Sequence, residues 1–159
     1  MGEGMADSPV NRVVVEDFYA AYEVRNTSRF ADFLDDNVEW TISGPVDVLP
    51  YCGTHRGKAA VMDLFKRRVP EVFSGFNLVR NTLLIDGDRI ATLNRLTARH
   101  ANDGRVVSYR LAHFMRFRNS KVVENLSLID SYDAVEQVLG HSLADSCAEP
   151  ADDDVLVRV

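Results

Sequence analysis

The sequence predicts an α+β domain in which short helices precede a run of antiparallel strands. Apolar residues recur at helical spacing between Val10 and Tyr22. From Phe76 to Ser131, segments rich in Val, Ile, Leu, Phe and Tyr alternate with short turn sequences instead. Helices grouped ahead of strands are typical of α+β folds.

The first half of the chain is predicted to contain three helices and one strand. Ser8 and Pro9 predict the start of the first helix, as a cap and a first-turn proline. The pattern then predicts, in order, a helix over 27–34, a strand over 37–43, a Gly- and Pro-rich loop over 44–57 and a helix over 58–69. Pro70 is expected to end or kink this last helix.

The second half is predicted to be a four-strand antiparallel meander followed by a short helix. Its turns are assigned to Asp86-Gly87, Asp103-Gly104 and Asn119-Ser120. The last helix is predicted from Asp133 to Leu139 and ends at Gly140.

Length and composition fit one domain with polar ends. Of the 159 residues, 46% are hydrophobic, which is enough to build a core. We expect an N-terminal tail over residues 1–8, a domain over residues 9–142 and an acidic tail over residues 143–159.

Charge and hydropathy exclude several kinds of partner. A net charge of −6 argues against nucleic-acid binding. No run reaches the roughly 18 apolar residues of a membrane span, and the start lacks the features of a secretory signal. We therefore expect a cytoplasmic protein with no nucleic-acid and no membrane partner. Cys52 and Cys147 match neither a metal spacing nor a disulfide framework.

Two-residue turns fix the pairing of the meander and therefore the face on which each side chain lies. They place Asn94 opposite His113, Tyr109 opposite Asp130 and His113 opposite Leu126. One face then carries a set that we interpret as a pocket: Asn81, Asn94, Tyr109, Leu111, His113, Met115 and Asp130. The other carries arginines among apolar side chains, and we expect a homodimer through it: Leu93, Ala112, Phe114, Val123 and Ile129 with Arg95, Arg110 and Arg116.

His113 is the main candidate for chemistry. Burial among leucines would lower its pKa below about 6.5 and favour the neutral ring, which suits a general base or a hydrogen-bond donor. The alternative is a core histidine that Asn94 satisfies across the strand pair.

The remaining candidates would orient or bind a ligand. Tyr109 and Asp130 form a predicted orienting pair, although Asp130 could instead cap the following helix. Asn81 and Asn94 are predicted ligand contacts, because asparagine is disfavoured in strands. Tyr19 is a further predicted ligand contact. Trp40 would line the pocket or pack in the core, and Tyr51 with His55 could rim the entrance. Scattered histidines and the absence of Gly-rich phosphate motifs predict no metal and no nucleotide cofactor.

Several segments together resemble the SnoaL-like branch of the nuclear transport factor 2 superfamily, which includes ketosteroid isomerase. The resemblance covers about residues 9–140. The matching segments are residues 17–22 (DFYAAY), 33–40 (FLDDNVEW), 44–45 (GP), 53–57 (GTHRG), 60–65 (AVMDLF) and 112–123 (AHFMRFRNSKVV). The resemblance implies a cone of helices packed in a strongly curved antiparallel sheet. It does not define a reaction, because this fold supports isomerases, cyclases, dehydratases, hydrolases and non-enzymes.

The residues of ketosteroid isomerases carry over poorly. The position of the general base falls on Thr41, the helix tyrosine of the oxyanion hole falls on Phe18 with Tyr19 beside it, and the oxyanion-hole Asp falls on His113. Steroid-type isomerisation by that mechanism is therefore not expected. Two functions stay open: a cofactor-free acid/base enzyme acting on a small, largely apolar molecule, or a non-catalytic ligand-binding or dimeric scaffold module.

Overall fold

A computed structural model describes residues 8–24 and 26–146 and confirms the α+β class. The helices are α1 (Arg12–Glu23), α2 (Thr27–Asp32), α3 (Lys58–Asp63), α4 (Val69–Val72), α5 (Ser131–Leu139) and α6 (Leu143–Ser146). The strands are β1 (Leu34–Ser43), β2 (Gly53–Arg56), β3 (Phe73–Asp86), β4 (Arg89–His100), β5 (Val106–Arg118) and β6 (Lys121–Ile129).

The strands form one curved sheet in the order β2-β1-β6-β5-β4-β3. The predicted meander is confirmed as β3 to β6, which pair antiparallel in chain order. β1 joins the sheet parallel to β6, and β2 pairs antiparallel with β1. The segment 53–56 is thus an edge strand and not part of a loop, because its backbone pairs with residues 39–42.

The helices cover the concave inner face of the sheet and close the cone. α1 is capped by Asn11, whose side chain accepts a hydrogen bond from the Val13 amide at 2.8 Å, and not by Ser8. The third predicted helix does not end at Pro70. It passes from α3 through a π-helical turn (Leu64–Arg68) into α4, so the chain stays helical on both sides of Pro70.

The ends of the chain fall partly outside the described residues. Cys147 and the acidic stretch beyond it lie there, as do residues 1–7. Within the predicted C-terminal tail, α6 forms a short helix whose Leu143 packs against the core. No helix in the described part of the chain is both long enough and apolar enough to cross a membrane.

The three predicted turns have different outcomes. Asn119 and Ser120 form a two-residue turn with φ of 51° and 61°. The first turn is also two residues long but falls on Gly87 and Asp88. The Asp103-Gly104 turn is instead a five-residue loop over 101–105, which places Thr92 and not Asn94 opposite His113. A slip of two residues leaves every side chain on its predicted face.

Two β-bulges overturn the predicted faces of the outer meander strands. In β6, Val123 is an extra residue between the Arg116–Glu124 and Phe117–Val122 pairs. In β3, Asn81 is an extra residue between the Arg80–Asn94 and Thr82–Leu93 pairs. Each bulge moves all residues beyond it to the opposite face of the sheet.

The bulge in β6 explains the corrections at five residues. Leu126 and Leu128 lie on the outer face, 38% and 45% exposed, and not opposite His113 or in the pocket. Ile129 lines the interior instead of the outer face, and Val123 is buried. Asp130 does not face Tyr109; its carboxylate lies 3.4 Å from Arg110 Nη2, directly before α5.

The bulge in β3 explains the correction at Asn81. Asn81 is exposed at the bulge, so its side chain is not in the predicted pocket. Val79 is 50% exposed, and Arg80 takes the inward position beside Asn94.

Candidate functional site

A belt of buried polar residues crosses the inner face of the sheet. Its members come from β4, β5 and β6 and are at most 4% exposed: Thr92, Asn94, His113, Asn125 and Ser127. Thr92 and Ser127 flank His113 as direct cross-strand neighbours. Buried polar groups are costly unless they are hydrogen-bonded, so the partners of each one matter.

Four side chains form one connected network, which we call the histidine cluster (Tyr19, Thr92, Asn94 and His113). The Tyr19 hydroxyl lies 2.9 Å from His113 Nδ1 and 2.8 Å from Thr92 Oγ1. Asn94 Nδ2 donates to Thr92 Oγ1 at 2.8 Å. Asn94 therefore reaches His113 only through Thr92 and Tyr19.

The electrostatics of the cluster keep its members neutral. Burial lowers the pKa of His113 to about 3, because the interior disfavours the imidazolium. Burial also raises the pKa of Tyr19, and the hydrogen bond from Thr92 and the charge of Arg80 only partly oppose this. The Arg80 guanidinium lies 4.8 Å above the Tyr19 ring and also contacts Glu16. Neutral His113 agrees with the direction expected from its apolar surroundings.

The interior retains unused hydrogen-bonding capacity. Among the described residues, five buried side-chain atoms lack a partner: Trp40 Nε1, Arg80 Nη1, Asn94 Oδ1, His113 Nε2 and Asn125 Oδ1. The side-chain nitrogen of Asn125 does have a partner, because Nδ2 donates to Ser127 Oγ at 2.9 Å. Such atoms mark positions where a water molecule or a ligand atom would be stabilised.

A small cavity lies beside this belt, with a volume of about 40 Å³. Most of its wall is apolar, from residues such as Leu96, Leu111 and Ile129, and hydroxyl groups come from Tyr22, Tyr51, Tyr109 and Ser127. No charged side chain of the described chain belongs to this wall. An apolar cavity with a few polar groups is the usual form of a small-molecule site.

Tyr51 and Tyr109 form the polar end of the cavity, and we call them the tyrosine pair. Their hydroxyl oxygens are 2.9 Å apart, and both side chains are buried. Burial is the largest cause that raises the pKa of each. Tyr109 is held by β5, and Tyr51 comes from the loop between β1 and β2.

The structure brings together some of the predicted site residues and separates others. Tyr51, Tyr109 and Leu111 line the cavity. Tyr19, Asn94 and His113 lie in the adjoining cluster, whereas Met115 and Trp40 are buried in the core, where Trp40 packs against Phe30 and Phe65. His55 Nε2 lies 3.3 Å from the Tyr51 carbonyl oxygen.

His113 is one side chain away from the cavity. It does not line the wall, but its ring meets the Tyr22 ring edge-on at a centroid distance of 5.9 Å. Tyr22 and Ser127 are wall residues that sequence reasoning missed. Tyr22 belongs to the apolar stripe that the sequence pattern predicts for α1. Ser127 was missed because the bulge in β6, which turns it to the inner face, was not predicted.

The position aligned with the ketosteroid isomerase base lies elsewhere. Thr41 is on the outer side of β1, and its hydroxyl lies 2.9 Å from that of Thr54. Within the described residues, no cluster of three or more His, Cys, Asp or Glu side chains is arranged to hold a metal ion.

The family of this chain follows from its similarity to known proteins. The model of the SnoaL-like domain matches residues 15–125. The chain belongs to the SnoaL-like family. A search of curated proteins finds no match.

Solved structures agree with this membership. A proposed isomerase from Rhodopseudomonas palustris is 31% identical with a TM-score of 0.70, over 80% of this chain and 93% of that one. A nuclear transport factor 2-like protein from Burkholderia pseudomallei is 24% identical with a TM-score of 0.72, over 79% and 95%. An LEH-like epoxide hydrolase from M. tuberculosis is 17% identical with a TM-score of 0.65, over 80% and 88%. The SnoaL-like chain therefore has the cone fold of the nuclear transport factor 2 superfamily.

Proposed function

We propose that this SnoaL-like protein is a cofactor-free enzyme that catalyses proton transfer on a small, largely apolar molecule bound in the cone. The observation that carries the proposal is an apolar cavity one side chain away from a buried, neutral histidine. The similarity to a proposed isomerase at 31% identity supports a reaction of the isomerase class.

His113 is the proposed acid/base group, acting as a neutral imidazole. The roles in the cluster that suit a base place the ring proton on Nδ1, which donates to Tyr19, while Tyr19 donates to Thr92 and Thr92 also accepts from Asn94. In this tautomer the lone pair lies on Nε2. Nε2 has no partner among the described residues, so it is the proposed atom that accepts a proton from the substrate and returns it.

Tyr109 is the proposed orienting group at the far end of the cavity. Its hydroxyl lies in the wall, which is where a polar atom of a bound molecule needs a partner. Asp130 and Asn81 have no part in this proposal, since one pairs with Arg110 and the other is exposed at a bulge.

Proton exchange tests the proposal without knowledge of the product. Small ketones and enones would be incubated with the protein in deuterated buffer, and loss of the protons next to the carbonyl would be followed by NMR. Wild type should exchange at least one of them tenfold faster than His113→Gln, which keeps a polar side chain of similar size. Equal rates for the two proteins and for buffer alone would contradict the proposal.

A non-catalytic ligand-binding module is the second candidate. It is favoured by one observation, namely that no carboxylate of the described chain lines the cavity to act as a base. Native mass spectrometry distinguishes the two: a molecule that co-purifies with the protein, without any catalysed exchange, would favour binding alone.

We also propose a homodimer through the outer face of the sheet. Phe114, Leu126 and Leu84 form an exposed apolar row with Ala91, and Leu93, Ala112 and Leu128 form the next row. Charged rows border them, including Arg116, whose guanidinium lies 3.4 Å from Glu124. Light scattering at micromolar concentration should give about twice 17.8 kDa, and Phe114→Glu should give a monomer. A monomeric wild type would overturn the dimer.

A further inference from the structure

We propose that the tyrosine pair is a hydrogen-bond donor site for the carbonyl oxygen of a neutral, apolar ligand. This deepens the proposed function, on which it rests, by assigning a substrate class to the same cavity. It names Tyr51 as a binding residue together with Tyr109.

The proton count of the pair leaves one donor unused. Each hydroxyl carries one proton, and one of the two makes the 2.9 Å bond between the oxygens. Neither hydroxyl has another partner among the described residues. The accepting hydroxyl therefore keeps an O–H group that no described protein atom accepts, and both tyrosines line the cavity.

The pair can donate but cannot act as a base. Burial raises the pKa of both hydroxyls, so both remain protonated at physiological pH. A hydroxyl that already accepts a hydrogen bond is also polarised toward donating a stronger one. The complementary ligand atom is an acceptor without a proton of its own, such as a ketone oxygen.

The rest of the cavity excludes charged ligands. No positively charged side chain of the described residues lines it, so a carboxylate or phosphate would lose its hydration without gaining an ion pair. The apolar wall instead favours a hydrocarbon body. The inferred ligand is thus a neutral ketone, enone or similar carbonyl compound with one end held by the tyrosine pair.

Acetophenone and ethylbenzene test this inference, because they differ by a carbonyl in place of a methylene group. Their affinities would be measured by calorimetry for wild type, Tyr51→Phe, Tyr109→Phe and the double variant. Since deletion of either hydroxyl still leaves one O–H beside the cavity, each single variant should weaken acetophenone binding no more than about threefold. The double variant should weaken it about tenfold and leave ethylbenzene binding unchanged or tighter.

Infrared spectroscopy of carbonyl-labelled acetophenone supplies an independent readout. The bound carbonyl band should shift to lower frequency in wild type and both single variants, and this shift should be lost in the double variant. Tyr132→Phe, which removes a hydroxyl from a side chain 58% exposed on α5, is the matched control and should change neither affinity.

The outcomes separate this inference from the proposed function. Suppose that both probes bind, and that the double variant either weakens both affinities equally or changes neither affinity. The tyrosine pair is then not a carbonyl site, although the cavity is still a ligand site. If acetophenone binds as inferred but no protein accelerates proton exchange, the carbonyl site stands and catalysis fails. If neither probe binds, the cavity is not a ligand site and both proposals fail.

Discussion

The histidine cluster and the tyrosine pair are both buried on the inner face of the cone, but their surroundings differ. Tyr19 of α1 packs directly on His113, with nearly stacked rings at a centroid distance of 5.9 Å. The tyrosine pair instead adjoins free volume. Burial of polar groups therefore does not by itself indicate a ligand site. An unused hydrogen bond beside open space is the more specific indicator.

Shortening His113 should have the largest effect on stability. We expect His113→Ala to lower the free energy of unfolding by about 3 kcal/mol, because it opens a void and removes a partner of Tyr19. His113→Leu keeps most of the volume and removes an unpaired buried nitrogen, so it should lose less than about 1 kcal/mol. Urea denaturation measures both, and equal losses would show that packing does not dominate at this position.

Acidification should destabilise the protein through the same histidine. The folded-state pKa of His113 is about 3 and its ordinary value is 6.5, so the unfolded chain takes up a proton first. The contribution of neutral His113 is intact above pH 6.5 and declines toward pH 3, by up to about 1.4 kcal/mol per pH unit.

Urea midpoints between pH 7 and pH 5 check this dependence, with His113→Leu as the control. The variant should lose about 1 to 2 kcal/mol less than wild type over that range. Identical pH profiles, or an NMR titration of His113 at or above its ordinary pKa, would contradict burial of a neutral ring.

The same chemical change should cost more in the cluster than in the pair. Tyr19→Phe removes a hydroxyl that bonds both Thr92 and His113. We expect a loss of about 1 to 2 kcal/mol, because two buried partners lose a bond. Thermal or urea unfolding at pH 7 provides the measurement.

The matched change in the pair, Tyr109→Phe, should cost about 0.5 to 1 kcal/mol. It removes a single bond, and the hydroxyl of Tyr51 that remains adjoins the cavity, where water can solvate it. A larger loss for Tyr109→Phe than for Tyr19→Phe would reverse the comparison on which the assignment of the two regions rests.

Residues of the candidate site could be predicted from the sequence wherever an error in the strand register still left the side chain on the correct face of the sheet. The five-residue loop shifted β4 against β5 by two residues, yet Asn94, Tyr109, Leu111 and His113 all remained on the inner face. An even shift changes the neighbours of a strand residue but not its face, so the inward-facing set was correct even though the predicted pairs were not.

The sequence by itself determined the α+β class, the meander, the turn at Asn119 and Ser120, and the inward direction of His113 and Tyr109. These follow from local preferences and from a side-chain period of two residues, both of which act within one or two strands. Only the tertiary structure decided that Ser127 faces inward and that Asp130 and Asn81 do not. The bulges at Val123 and Asn81 change the register by one residue, which reverses a face. Whether a strand accommodates an extra residue depends on how the curved sheet packs around its core. The local sequence at either bulge does not indicate that an extra residue will be inserted there.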